Sequence, residues 1–345
     1  MARRLPGAGW GRLFQHSLKL ITGPAAKAGR AGVARAVRAG TRVAAEALKP
    51  PPGPGDWLPG VVMGAAGARG YRVYRPPGLN LAAGRGQPVP LVVMLHGCGQ
   101  DAKAFALSTR MNRVAAREGF IVLYPEQDRM ANLQGCWNWF DTDSGRAFGE
   151  AALIMKAIAQ VSALFPVDRA RVAVVGLSAG ASMAALLATR HPDVFGAVVM
   201  HSGIPPGSAH SSLSAVGAMH GRRSPRTAAR LSNPALSAAA AWPPLLVIHG
   251  ANDSVVSPRN GQAAAMAWAH ATGAVAGPAR GVQRGKRYPM TVTDFHQGRR
   301  LVAQWVGVSH LGHAWSGGAA GQPHSDARGP DASRLAWAFI RRQWP

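Results

Sequence analysis

The chain has 345 residues, 47% of them hydrophobic and 16% charged, which is the composition of a globular protein and excludes a wholly disordered one. Lys and Arg number 39 against 15 Asp and Glu, a net charge of +24 that favours anionic partners: nucleic acid, anionic lipid or an acidic polymer. No apolar run approaches the roughly 20 residues that span a bilayer, and two cysteines, Cys98 and Cys136, exclude a disulfide framework while allowing one bridge.

The charge is concentrated at the start. Residues 1–50 hold ten basic residues and one acid, Glu46, and run into Lys49-Pro50-Pro51-Pro52-Gly53-Pro54-Gly55, a stiff breaker sequence. Residues 1–60 therefore read as a poorly ordered basic extension, with nucleic acid or an anionic surface as its candidate partner. That contact falls to residues 1–50, where only Trp10 and Phe14 are available for stacking. The stretch from Leu13 to Ile21 is broken by polar residues and lacks the apolar core of a signal peptide. Residues 61–345 read as one catalytic domain.

Within that domain, Gly70–Pro76 alternates like an edge strand ended by a proline. Pro90–Gly97 is a continuous apolar run, the pattern of a strand buried on both faces. A helix over Phe105–Glu118 precedes a strand over Phe120–Pro125. A helix from about Gly149 to Leu164 precedes Val172–Gly176, and a helix starting near Ala179 precedes Gly196–His201. Residues 204–242, rich in Ser, Ala, Pro and Arg, form a cap or a mobile loop. Pro244–Gly250 and Leu301–Val308 are the remaining strands. Strands alternating with helices predict an α/β fold: a mostly parallel sheet, right-handed crossovers and helices on both faces.

A serine hydroxyl becomes nucleophilic only beside a base, and the base needs an orienting acid. Gly176-Leu177-Ser178-Ala179-Gly180 lies between a β-branched run and an Ala/Leu-rich helix, the setting of a nucleophile elbow, so Ser178 is the candidate nucleophile. Asp253, just past the strand ending in His249-Gly250, is the candidate acid; Asp326 and Asp331 are rivals that follow the histidine. His313, on the glycine-flanked loop after Leu301–Val308, is preferred over His310 as the base. His191, His201 and His249 read as structural or loop residues. His96-Gly97-Cys98-Gly99 follows the first buried strand, and the Cys98 amide, with that of Ala179, is the candidate oxyanion donor.

Leu95-His96-Gly97-Cys98-Gly99-Gln100, Leu123–Gln127, Cys136-Trp137-Asn138-Trp139-Phe140, Gly176–Gly180 and Gly312–Gly318, with Gly329–Ser333, together resemble the esterases of the poly(3-hydroxybutyrate) depolymerase family of α/β-hydrolases. The likeness covers about residues 70–345. It implies a Ser178–Asp253–His313 triad that needs no metal or cofactor. The implied substrates are short-chain polyhydroxyalkanoates or their oligomers, with feruloyl, acetyl-xylan or general short-chain esters as the alternative. A non-catalytic binding protein on the same scaffold is the remote one. The resemblance further implies that Trp137, Trp139 and Trp315 wall the substrate site, that Cys98 and Cys136 are bridged, and that the protein is extracellular or periplasmic. The poor apolar core near the N-terminus favours the cytoplasm instead. With no polymer-binding module in view after the last helix, oligomers or small esters are the expected substrates.

Overall fold

In a computed structural model, residues 50–79, 87–223 and 242–344 are described. The chain divides into two units, Met1–Lys49 and Pro50–Pro345. The first, which carries most of the expected basic extension, lies outside the described residues, as do residues 224–241 of the expected cap.

Among the described residues, eleven strands form one sheet in the order β1-β2-β4-β3-β5-β6-β7-β11-β10-β8, with β9 pairing β10. Its centre is parallel: β4 (Ile121–Pro125), β3 (Val89–Leu95), β5 (Val167–Leu177), β6 (Ala197–His201), β7 (Leu245–Gly250) and β11 (Arg300–Val308). Antiparallel strands flank it, β1 (Asp56–Gly64) and β2 (Gly67–Arg75) on one side and β10 (Met290–Gln297), β8 (Val275–Ala276) and β9 (Arg280–Val282) on the other.

The apolar runs are continuous because both faces are covered. Leu91, Val93 and Leu95 turn to one core, and Val92 and Met94 to the other. Helices α3 (Arg146–Leu164), α4 (Ala179–Arg190) and α6 (Arg259–Thr272) supply Leu153, Ile154, Leu186 and Trp268 to the first core. Helices α1 (Ala102–Thr109), α2 (Met111–Glu118) and α7 (Ala332–Ile340) supply Phe105, Val114 and Phe339 to the second. By length and composition α3 is apolar enough to cross a membrane, but its apolar face packs on the sheet.

Three expectations change. The helix expected over Phe105–Glu118 is two helices, broken where Arg110 turns left-handed at φ 56° and sends its guanidinium to Gly317 O at 2.5 Å. The sheet begins at Asp56, inside the segment assigned to the extension; Asp56 pairs in register with Arg75 and binds its guanidinium at 2.5 Å. The hairpin strand β10 was not anticipated, because its alternation is masked by Thr, Asp and His. Of the region 204–242, residues 204–223 carry α5 (Ser212–Met219), capped by Ser211 and tied to α6 by Asn260 Nδ2 donating to Ala218 O at 2.9 Å.

Where β5 enters α4, a Cβ on Gly180 would strike the carbonyls of Leu95 and His96, and one on Gly176 would strike the backbone of Gly180. The helix start is thereby pressed against the loop after β3. Gly180→Ala is expected to cost about 1–3 kcal/mol through overpacking, read as a drop of several degrees in thermal unfolding. Gly281→Ala, which adds a methyl group in open space, is the control expected to leave the transition unchanged.

Candidate active site

Ser178 sits at the sharp turn between β5 and α4 with φ 56° and ψ −120°, a conformation that L-residues adopt only under constraint. The constraint is visible. The Ser178 N–H donates to His201 O at 2.8 Å, and its C=O accepts from Ser182 N at 3.1 Å. The turn lifts the hydroxyl clear of the sheet toward His313, whose Nε2 lies 2.9 Å from Ser178 Oγ. His313 Nδ1 lies 2.8 Å from Asp253 Oδ2. Sequence reasoning named these three residues, and the fold brings them together at the C-terminal ends of β5, β7 and β11.

Asp253 is a buried carboxylate with several donors. Val255 N and Val256 N donate to Oδ1 at 3.0 and 2.8 Å, His313 donates to Oδ2, and His249 Nε2 lies 3.3 Å from Oδ2. Burial alone pushes its carboxyl up, but the hydrogen bonds from His249 and His313 reverse this and hold it well below the usual carboxylate range. An ionised Asp253 fixes the proton of His313 on Nδ1 and leaves Nε2 to accept from Ser178 Oγ. The rivals are engaged elsewhere: Asp331 caps α7 through Arg334 N at 3.0 Å, and Asp326 accepts from Arg328 N at 2.9 Å. His310 is exposed and lies against Tyr288.

The Cys98 and Ala179 amides have no hydrogen-bond partner among the described residues. The neighbouring Gly97 N–H is taken by Gln100 Oε1 at 3.0 Å. Ala179 opens α4, where amides are free and the helix dipole favours negative charge. Cys98 is joined to Cys136 by a disulfide. Gly99 N donates to Gln134 O at 2.9 Å alongside the bridge, and Trp137 Nε1 donates to His96 O at 3.2 Å. Buried Glu150 completes the brace, accepting from Asn138 N, Asn138 Nδ2 and Gln127 Nε2.

The tryptophan wall is a correction. Trp137 and Trp315 are 0% exposed and Trp139 is 7% exposed, so none offers a face to a ligand. Trp137 packs beside His96, Trp139 lies edge-on to Phe140, and Trp315 stacks on His201 and donates to Ser333 Oγ at 3.2 Å. Large flat side chains with one donor fill a core well when the donor finds an acceptor. These three brace the loops of the site from behind.

Two functional neighbours, His201 and His249, were read as structural. His201 ends β6 and His249 is the penultimate residue of β7, at the strand ends where sites gather in this class of sheet, and that position was the available signal. His201 Nε2 accepts from Ser316 N at 3.1 Å and Nδ1 faces Ser202 Oγ at 3.1 Å, so its side chain holds the His313 loop while its carbonyl holds Ser178.

Among known proteins, the family model described as "Esterase PHB depolymerase" matches residues 69–286. The chain belongs to this family. The matched range contains Ser178 and Asp253; His313 lies beyond it. Poly(3-hydroxyalkanoate) depolymerase C of Paucimonas lemoignei is 34% identical over 189 residues, 52% of this chain and 44% of that protein. The chain thus spans under half the length of that relative. Feruloyl esterase B of Neurospora crassa is 29% identical over 238 residues, 64% of this chain and 78% of that protein. A solved acetyl xylan esterase from Aspergillus awamori superposes with a TM-score of 0.59 at 18% identity, covering 82% of this chain and 99% of that one. The fold is that of the α/β-hydrolases.

Two predictions follow from the braces. Burial, with the nearby imidazoles of His249 and His313, lowers His201 from its ordinary 6.5 to about 3. The unfolded chain binds this proton near 6.5 and the folded protein does not. Stability is therefore full above that pH and falls as pH drops toward about 3, by up to about 1.4 kcal/mol per unit. Urea unfolding at pH 7, 6 and 5 is expected to have a shallower pH slope for His201→Gln. The bridge closes a loop with a sequence separation of 38, and the Cys98→Ser/Cys136→Ser variant is expected to lose about 2–4 kcal/mol in the same assay.

Proposed function

We propose that this protein hydrolyses carboxylic esters through an acyl-enzyme on Ser178. The observation that carries the reading is the continuous chain from Ser178 Oγ through His313 to the ionised Asp253, at 2.9 and 2.8 Å, ending on a strained serine. His313 Nε2 takes the hydroxyl proton as Oγ attacks the ester carbonyl, and the Asp253 carboxylate stabilises the imidazolium. The Cys98 and Ala179 amides donate to the oxyanion. Collapse of the tetrahedral intermediate expels the alcohol, which leaves with the proton from His313. Water then attacks the acyl carbonyl as His313 accepts its proton; collapse of the second tetrahedral intermediate expels Ser178 Oγ, which takes that proton back from His313 as the acid departs. The chemistry requires no metal or cofactor.

The substrate class proposed is the short-chain hydroxyalkanoate ester, as oligomer or polymer, on the strength of the family match and the Paucimonas lemoignei relative. A second reading, esters of plant cell-wall phenolic acids or of acetylated xylan, is favoured by the feruloyl esterase and acetylxylan esterase relatives. The disulfide supports residence in an oxidising compartment outside the cytoplasm.

Ser178→Ala is expected to lower kcat on a short-chain p-nitrophenyl ester by at least about 10⁴-fold with an unchanged unfolding transition, and Asp253→Asn by about 10⁴-fold. Equal rates for wild type and Ser178→Ala would remove the nucleophile assignment. Parallel release assays for 3-hydroxybutyrate and ferulate rank the two substrate classes.

A further inference from the structure

A groove of about 620 Å³ opens between α2, α7 and the antiparallel strands β9, β10 and β11. None of Ser178, Asp253 and His313 lines it. Eight arginines do, with no lysine, against two carboxylates, Glu118 and Asp331. Both carboxylates are already engaged. Glu118 accepts from Arg117 at 2.7 Å and from Trp337 Nε1 at 2.8 Å; Asp331 caps α7 and lies 3.6 Å from Arg334.

The arginines fall into two sets. Five are fastened to the protein. Arg117 and Arg334 hold those carboxylates, and Arg280 holds Asp294 at 2.5 Å. Arg110 and Arg287 donate to backbone carbonyls, Arg110 to Gly317 O and Arg287 to Gly329 O at 2.6 Å. Arg284, Arg341 and Arg342 are exposed and have no carboxylate within salt-bridge distance among the described residues. The groove therefore presents three exposed guanidinium groups outside any close ion pair, of which Arg341 also lends its charge to Glu118, within walls that are themselves cationic.

We infer that this groove binds a linear chain of phosphates. Arginine forks pair with phosphate oxygens through two parallel hydrogen bonds, which a lysine ammonium cannot do. Cations spread along a groove suit a chain of anions better than one ion. The aromatic residues of the lining, Trp337 and Phe339, are buried at 8% and 4% exposure and offer no stacking platform for bases. The contact is thus to phosphate alone, and condensed inorganic phosphate or the backbone of a single-stranded nucleic acid both supply it. A positive net charge of +24 steers either toward the surface.

The test is anisotropy of fluorescently labelled polyphosphate with the full chain, wild type against Arg284→Gln/Arg341→Gln/Arg342→Gln. Unlabelled polyphosphate, single-stranded DNA and poly(glutamate) of matched charge serve as competitors. The triple variant is expected to bind at least tenfold more weakly and to lose about 2–3 from its log–log salt slope, at 0.7 to 0.9 per phosphate contact. Its thermal transition and p-nitrophenyl ester hydrolysis are expected to stay at wild-type values. Competition by polyphosphate alone identifies condensed phosphate as the source; equal competition by DNA extends it to nucleic acid. Wild-type affinity in the triple variant, as when residues 1–49 carry the binding, overturns the inference. So does equal competition by poly(glutamate), or no binding by wild type at low salt. Should the triple variant unfold, the single variants Arg284→Gln and Arg342→Gln are each expected to lower the salt slope by about 0.7–0.9.

Discussion

The buried carboxylate of Asp253 sets the terms for the rest of the site. An ionised group out of water is tolerated only when donors replace its hydration. Two come from the backbone of its own turn, at Val255 and Val256, and two from imidazoles, at His249 and His313. Those imidazoles arrive from different elements: His249 is the penultimate residue of β7, and His313 lies beyond β11. The buried carboxylate therefore keeps both imidazole partners only while β7 and β11 are paired in register, as Ile248 with Val306 and Gly250 with Val308. A Cβ on Gly250 would collide with the Leu311 carbonyl, which keeps the two loops at that spacing.

A second constraint governs the opposite wall. The turn after β3 leaves the Cys98 amide without a partner among the described residues while the neighbouring Gly97 and Gly99 amides are paired. His96 is buried and its imidazole is pushed toward the neutral form by that burial; Nδ1 faces Gly97 O at 2.8 Å and Nε2 accepts from Gln127 N at 3.0 Å. Gln127 in turn reaches Cys136 O and Glu150. The disulfide is the covalent member of a zipper that joins two loops at many points. An unpaired amide in such a frame keeps its direction without reorganising, as the proposed oxyanion role requires.

The alternation of apolar runs with helical stretches was enough to read the parallel centre of the sheet, because strands buried on both faces carry an uninterrupted signal. The elbow and the order Ser178, Asp253, His313 were legible for the same reason: each follows such a strand. Less of the periphery was legible. β1 and β10 face solvent on one side and mix Pro, Gly, Thr and His into the pattern. The helix break at Arg110 depends on a partner, Gly317, that lies 207 residues away. Trp137 and Trp315 illustrate the limit most directly. Their loop positions suggested contact with substrate, whereas their N–H groups find His96 O and Ser333 Oγ inside the protein. Composition cannot tell an aromatic wall from an aromatic brace; the direction of one hydrogen bond can.

The same reasoning explains why His201 stands behind the site without competing for its chemistry. In the proposed mechanism the only new positive charge belongs on His313, where Asp253 can stabilise it. A second imidazolium nearby would compete for that carboxylate and repel the first. His201 is prevented from charging by its burial, by its neighbours His249 and His313, and by Ser316 N, which occupies the lone pair of Nε2. It can then bind two loops at once, through its carbonyl to Ser178 and through its ring to Ser316, and contribute no charge. His249 lies within 2.9 Å of Val256 O and 3.3 Å of Asp253 Oδ2 through one nitrogen, and its Nδ1 has no hydrogen-bond partner among the described residues. Its contact with the carboxylate is consequently as a donor, which lowers the Asp253 carboxyl further. One imidazole of the three reaches the serine hydroxyl, and the other two rings hold the loops and the carboxylate around it.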